Sequence, residues 1–275
     1  MTTTKRWTLD DIPWDQFDRS RVDADMLKIA KAAALVEYNA HDYATYLCNV
    51  FHDDPEFQDA ARLWAEEEVQ HGEALGRWAV LADPEFDFAA AIAQFRDSFR
   101  IDLDVDHSTR GSRAGELISR CMVETGTSSY YTALAEATEE PAMKAICQRI
   151  AADELRHYKL FYTHLKAYLR RDGLSTIHRL RIAFSRIAEI EDDELACAYY
   201  AANGTTAEPY VRQRYSREYM SRAYGYYRRG HVDRAMAMIF KACGLTPQTL
   251  LFRLSQAVAW FLFAHRTRQL RRAAA

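Results

Sequence analysis

The sequence predicts an all-α protein: a bundle of four long helices with one long crossover, followed by extra helices at the C-terminus. Three observations lead there. Only 10 Gly and 6 Pro occur in 275 residues, too few for a turn-rich all-β or low-complexity chain. Small and apolar residues recur at helical spacing, while strand-like alternation is scarce. The prolines and glycines sit where such segments start and stop. With 275 residues, 49% of them hydrophobic, the chain can bury a sizeable core.

Residues 1–22 read as an irregular arm carrying Trp7, Pro13 and Trp14. Residues 24–50 form the first long helix by period, with Ala30, Ala33, Ala34, Glu37, His41 and Ala44 along one face. Asp54-Pro55 supplies an N-cap and an N1 proline for the second, running to Leu81. Asp83-Pro84 repeats the device for a shorter helix to Phe99, and the polar stretch IDLDVDHSTRGSR is a connection. Ser112 to Thr138 is the third long helix; Pro141 opens the fourth, which Gly173 stops. Helices at 175–202, 207–229, 231–243 and 247–272 follow, with Thr246-Pro247 capping the last. Four long helices with a long crossover between the second and third match a ferritin-like bundle better than an up-down one. The expected organisation is an arm at 1–22, the bundle at 23–174 and a helical extension at 175–275 packed on it.

Charge is distributed unevenly. Residues 201–275 hold 13 Lys and Arg against 3 Asp and Glu, a net of +10; residues 1–200 hold 23 against 36, a net of −13. The basic tail either folds back on the acidic body or forms a landing surface for an acidic carrier protein, a lipid surface or nucleic acid. Nucleic acid is the weakest of the three, because no RNP-like motif accompanies the charge. The five cysteines are scattered without a CxxC, as expected for reduced thiols. The start, MTTTKRWTLDD, lacks the apolar run of a signal peptide, so the expected location is cytoplasmic. No apolar run is long enough to span a bilayer.

Two segments carry chemistry. WAEEEVQHGEAL in the second long helix places Glu68 three residues before His71, and IAADELRHYKLF in the fourth does the same with Glu154 and His157. Three residues apart on a helix is one face, so each pair can reach one metal ion. With 18 Glu and 9 His in the chain, chance supplies roughly 0.6 such spacings, so one would mean a solvated helical ion pair. Two in long helices, each beside a helix with a lone Glu on a small or apolar face, is a different matter. Those lone residues are Glu37 and Glu124. One Glu from each of two helices plus Glu-x-x-His from the other two is the carboxylate-bridged dimetal pattern of ferritin-like bundles. Oxygen and imidazole donors without thiolates suit iron or manganese rather than structural zinc.

These segments resemble the soluble acyl-carrier-protein desaturases. WAEEEVQHGEAL is similar to that family's W-T-A-E-E-N-R-H-G-D-L-L, and ICQRIAADELRH to its I-C-G-x-I-A-A-D-E-x-R-H. Glu124-Thr-Gly-Thr127 fits its E-R-x-T, and WTLDDIP resembles its N-terminal arm. The resemblance covers residues 7–170. It implies two irons (or a manganese and an iron) bridged by Glu68 and Glu154. Glu37, Glu124, His71 and His157 would be terminal ligands. Thr127 would lie on the oxygen-binding side, and Asp153 would orient a ligating imidazole, that of His71. It also implies an acyl-carrier-protein substrate, a ferredoxin-like electron donor and a homodimer. The first helix departs from the family, reading VEYNAHDY where the family has E-E-A-L-P.

The expectation is therefore a diiron, O2-activating oxidoreductase that desaturates or otherwise oxidises a fatty acyl chain on an acyl carrier protein. The alternatives are a diiron oxygenase or oxidase of a non-lipid substrate, and a ferroxidase or iron-handling protein. A rubrerythrin-like peroxidase lacks its CxxC unit here. His41, four residues after Glu37, is a candidate extra ligand or supporting group. Tyr38, Tyr43, Tyr46, Tyr130 and Tyr131 include candidate oxidisable residues near the metals, while Trp64, Trp78, Cys121 and Cys147 read as core. Leu250, Leu251, Leu254, Val258, Phe261 and Leu262 form one stripe ahead of Arg266, Arg268, Arg271 and Arg272. It is expected to pack on the bundle or a second subunit, or to lie peripherally on an anionic membrane.

Overall fold

The computed structural model describes residues 6–189, 193–204 and 209–274, and these are all-α, with no strand among them. The long bundle helices are α1 (Ala24–Tyr38) continued by α2 (Ala40–Val50), α3 (Pro55–Ala82), α5 (Arg113–Ala137) and α6 (Pro141–Asp172). A short α4 (Phe88–Ser98) lies in the crossover between α3 and α5. The extension contains α7 (Thr176–Ala188), α8 (Asp193–Asn203), α9 (Arg212–Ala223), α10 (Arg229–Ala242) and α11 (Leu250–Ala274). It is laid on the bundle, with α8 and α9 against α1, and α7 and α10 against α5.

Local chemistry sets most boundaries. Asp54 accepts the Phe57 amide at 3.0 Å ahead of Pro55, opening α3. Ser112 caps α5 by accepting from Gly115 at 3.0 Å. Gly173 ends α6 in the left-handed region at φ 63°, which a residue with a Cβ adopts only at a cost.

Four expectations need correction. The first long helix breaks at Asn39 (φ −89°, ψ 10°), whose side-chain oxygen accepts from Arg96 Nε at 3.0 Å. α4 is capped by Asp87, which accepts from the Ala90 amide at 2.9 Å; Asp83 instead follows α3 and pairs with Lys31 Nζ at 2.5 Å. The helices expected at 175–202 and 207–229 are α7 with α8, and α9 with a 3-10 turn ending at Tyr226. Residues 190–192 and 205–208 between these elements lie outside the described residues. α11 begins at Leu250, after Thr249 Oγ1 accepts the Phe252 amide at 3.2 Å, so Thr246-Pro247 is not its cap.

Glu140 ties the arm to the bundle. It is fully buried and accepts four hydrogen bonds: from the amides of Ala142 (3.2 Å), Met143 (2.7 Å) and Asp18 (3.2 Å), and from Trp78 Nε1 (2.7 Å). Losing a cap costs about 1 kcal/mol and stranding a buried donor about 1–3 kcal/mol. Glu140→Ala should therefore destabilise the protein by about 2–4 kcal/mol in denaturant unfolding, and Glu140→Gln by less. A loss below about 0.5 kcal/mol for the alanine variant would show that Glu140 does not hold this junction.

The core comes in two parts. One gathers Leu35 of α1, Trp78 of α3, Leu134 of α5 and Ile146 of α6; the other gathers Leu47 of α2, Phe57 of α3, Leu117 of α5 and Phe161 of α6. On every bundle helix the polar residues Glu37, Glu68, His71, Glu124, Glu154 and His157 fall between the two parts. A polar layer thus crosses the bundle at mid-height, flanked by apolar packing on both sides.

Candidate metal centre

Six side chains meet in that layer, all of them among the expected ligands. Glu37, Glu68, His71 and Glu154 offer donor atoms that lie within 4.8 Å of one another, and so do Glu68, Glu124, Glu154 and His157. The two groups share Glu68 and Glu154. All six residues are buried, His71 completely. Each group can hold a metal ion.

The imidazoles show how. His71 Nδ1 points inward, 3.1 Å from Glu68 Oε2 and 3.2 Å from Glu154 Oε1, while Nε2 faces outward, 3.1 Å from Asp153 Oδ2. His157 mirrors it: Nδ1 lies 3.0 Å from Glu68 Oε1 and Nε2 lies 2.7 Å from Glu67 Oε2. A neutral ring that donates Nε2–H to its outer carboxylate turns the Nδ1 lone pair toward inner carboxylate oxygens. Lone pair then faces lone pair at about 3 Å in a dry interior, and a cation, either a proton or a metal, must sit between. Both oxygens of Glu124 are buried without a hydrogen-bond partner. Buried polar atoms of this kind are rarely left unpaired, and this donor set fits a divalent cation of the iron or manganese type.

Electrostatics among the protein groups agree. Burial, then the charges of Glu68 and Glu154, push Glu37 well above the usual carboxylate range; burial and the charges of Glu154 and Glu68 do the same to Glu124. Burial also pushes Glu68 up, but the charge and hydrogen bonds of His157 and His71 outweigh it and hold Glu68 well below that range. Burial opposes charge on both rings. The hydrogen bonds of Asp153, Glu154 and Glu68 nevertheless hold His71 well above the ordinary histidine value, and Glu68, Glu154 and Glu67 do so for His157.

The surroundings place the remaining candidates. Thr127 Oγ1 donates to Glu154 Oε2 at 2.7 Å, one turn along α5 from Glu124. Tyr131 donates to Glu37 Oε1 through a short hydrogen bond, which makes it the tyrosine of the candidate set in contact with the cluster. Asp153 also accepts from Trp7 Nε1 at 2.7 Å and from Arg156, and the Trp7 ring stacks parallel to His71 with centroids 6.0 Å apart. His41 does not join the cluster. The break at Asn39 turns it out of register with Glu37, and it is exposed on a shallow surface depression beside Leu9 and Glu73. Trp64, Trp78, Cys121 and Cys147 are buried as expected.

Glu67 was not anticipated. It stands to Glu68 as Asp153 stands to Glu154, the residue just before, so both helices read acid-Glu-x-x-His. That repeated dipeptide was the available signal. Each outer acid serves the histidine of the other helix: Asp153 on α6 holds His71 of α3, and Glu67 on α3 holds His157 of α6. Glu67 is itself paired with Arg6 at 2.7 Å and Arg156 at 3.2 Å.

Close packing fixes the α1–α3 spacing at this height. A Cβ on Gly72, next to His71, would come within 2.5 Å of the Tyr38 backbone nitrogen. Only glycine permits that approach, which sets Glu37 opposite His71.

A helical bundle with a long crossover and a buried, shared Glu/His cluster defines a ferritin-like protein able to bind metal in its core. Within that class, this chain belongs to the fatty acid desaturase family, whose sequence profile matches residues 34–187, just over half of the chain. The match includes all six cluster residues, Thr127, Asp153 and Glu67, and runs through most of α7; Trp7 and α8 to α11 lie outside it. Membership of this family suggests an oxidoreductase. Comparison with curated proteins gives no match.

Proposed function

We propose that the protein is a diiron oxidoreductase that uses O2 to desaturate a fatty acyl chain presented on an acyl carrier protein. The observation that carries this reading is the sharing of Glu68 and Glu154 between two four-residue groups, which suits two ions bridged by two carboxylates. A pair of irons held there would supply the O2 activation that no amino-acid side chain can. Glu37 and His71 would complete one side, Glu124 and His157 the other.

The protein's own part is positional. Asp153 and Glu67 fix the two imidazoles with Nδ1 inward. The arm covers His71 through Trp7 and excludes water from that side. Thr127, half-buried, holds a proton on Oγ1 against Glu154 Oε2, and Tyr131 holds one against Glu37. A cleft of about 400 Å³ between α5, α6 and α10 has Ser128, the residue after Thr127, in its lining. Ala151, Ala152, Leu155, Ala237 and Met238 give it apolar walls, and Arg234 and Lys241 stand on its α10 side. Such a cleft suits an acyl chain with an anionic end. Overall, one CH2–CH2 unit gives up two protons and two electrons, an external ferredoxin-like donor gives two electrons, solvent gives two protons, and O2 leaves as two waters.

The test is turnover of a long-chain acyl carrier protein with ferredoxin, its reductase and O2, followed by mass analysis of the released acid. A product lighter by two hydrogens is expected. An oxygen-bearing product would replace desaturation by oxygenation at the same centre. Oxidation of ferrous iron into a cage-sized assembly, with no acyl product, would replace the whole reading by iron handling.

A further inference from the structure

We infer that α11 is a docking helix that lies flat on an anionic lipid surface. The stripe of Leu250, Leu251, Leu254, Val258, Phe261 and Leu262 does not pack on the bundle: these side chains are 56–75% exposed. Isolated exposed leucines are ordinary, but six on one face of one helix are not.

The helix is not free to roll the stripe inward. Its opposite face is already used: Phe252 packs edge-on against Phe240 at 5.0 Å, Phe263 packs against Tyr224 at 4.7 Å and Tyr227 at 5.2 Å, and Leu270 is buried. Gln256 Nε2 also donates to the Asp233 carbonyl at 3.1 Å. The outward face is therefore more apolar than parts of the inward one, the reverse of a helix made only to cover a core.

Charge selects the occupant. α11 has five arginines and no acidic residue. At helical spacing, Arg268 and Arg272 continue the same face one and two turns beyond His265, after the apolar run ends. The turn into α11 rests on another basic helix: Arg179 of α7 reaches Gly244 so closely that a Cβ there would meet Nη1 at 2.5 Å. α7 likewise has no acid and exposes Ile177 and Phe184. A second copy meeting α11 symmetrically would bring arginine against arginine or against leucine, with no carboxylate on either helix to answer it. An acidic protein would answer the arginines but leave three turns of large apolar side chains to explain. Lipid answers both, taking the apolar face at the acyl boundary and the guanidiniums at its phosphates. The apolar run covers roughly 18 Å, and no helix among the described residues is long and apolar enough to cross a membrane, so the helix would lie on the surface.

Co-sedimentation of the full-length protein with phosphatidylcholine vesicles, with and without phosphatidylglycerol, tests this. Wild-type protein should pellet with the phosphatidylglycerol vesicles at low salt and progressively less as salt rises. Leu254→Asp/Phe261→Asp should abolish pelleting. Arg268→Gln/Arg272→Gln should weaken it about twenty-fivefold, at roughly fivefold per arginine near an anionic surface. These side chains are exposed, so both variants should keep the wild-type circular dichroism and melting curve, and both should keep their metal content. Failure of the wild type to pellet at low salt would overturn the inference. So would a lipid-independent dimer, or a lipid-independent complex with acyl carrier protein, that the Leu254→Asp/Phe261→Asp variant dissolves while vesicle binding is absent. The readout needs no metal and no turnover, so failure here leaves the proposed activity standing, and the reverse holds too.

Discussion

Loaded anaerobically with ferrous iron and desalted, the wild-type protein should carry about two irons per chain, and Glu154→Ala/His157→Ala close to none. The double variant is decisive because Glu154 belongs to both four-residue groups. His71→Ala is the finer probe: it removes a ligand from only one group, so it should keep about one iron, whereas a single-ion site would give all or nothing. Glu154→Ala/His157→Ala should fold, because it removes one buried acid together with one of its imidazole partners; His71→Ala strands Glu68 and Asp153, so its fold is checked by circular dichroism beside the metal count. The burial of these groups gives the pH dependence. Glu37 and Glu124 are shifted upward and so are both histidines, so all four hold protons more tightly than usual. A metal ion must displace those protons to use these groups as ligands. Iron affinity should therefore rise with pH through the neutral range and fall as pH is lowered, with proton release measurable on binding. Wild-type protein that stays near zero iron after anaerobic loading would sink the metal-centre reading.

The cluster was legible in the sequence because four of its six residues obey a local rule. Glu68 with His71 and Glu154 with His157 share a face at fixed spacing whatever the rest of the fold does. Glu67 obeys no such rule. In the run Glu66-Glu67-Glu68 three acids look alike, and only His157 of α6, 90 residues away, picks out the middle one. The break at Asn39 was hidden for the same reason. Residues 24–50 carry one helical period, but Arg96 from α4 and the Gly72–Tyr38 approach end the first half, and His41 moves off the ligand face as a result. α11 fails in the opposite direction. Its stripe is clear in the sequence, yet periodicity gives the direction of a face and not what covers it. Contacts of Phe252 and Phe263 with distant aromatic residues decide that the stripe points outward.

The outer acids should separate holding a metal from tuning it. Asp153→Ala and Glu67→Ala each leave all six cluster residues in place and remove the acceptor for an imidazole Nε2–H. Partners of this kind are worth about 10–100-fold in metal affinity or activity. Both variants should therefore still take up iron at high concentration while turning over about 10–100-fold more slowly. The two should not behave alike in detail. Asp153 also holds Trp7 and Arg156, so its loss frees the arm above His71, and the fluorescence of Trp7 should become more solvent-exposed. Glu67 holds Arg6 and Arg156 but no aromatic ring, so Glu67→Ala should leave that emission unchanged. Asp153→Asn is the conservative control. It can still accept from Trp7 while losing the charge that makes His71 a stronger donor to metal, so it should restore the emission without restoring the rate. Loss of most bound iron from Asp153→Ala at saturating concentration would mean that Asp153 is a ligand rather than the support of one. Equal arm release in both variants would mean that the Arg6–Glu67 pair holds the arm as firmly as the Trp7–Asp153 hydrogen bond does.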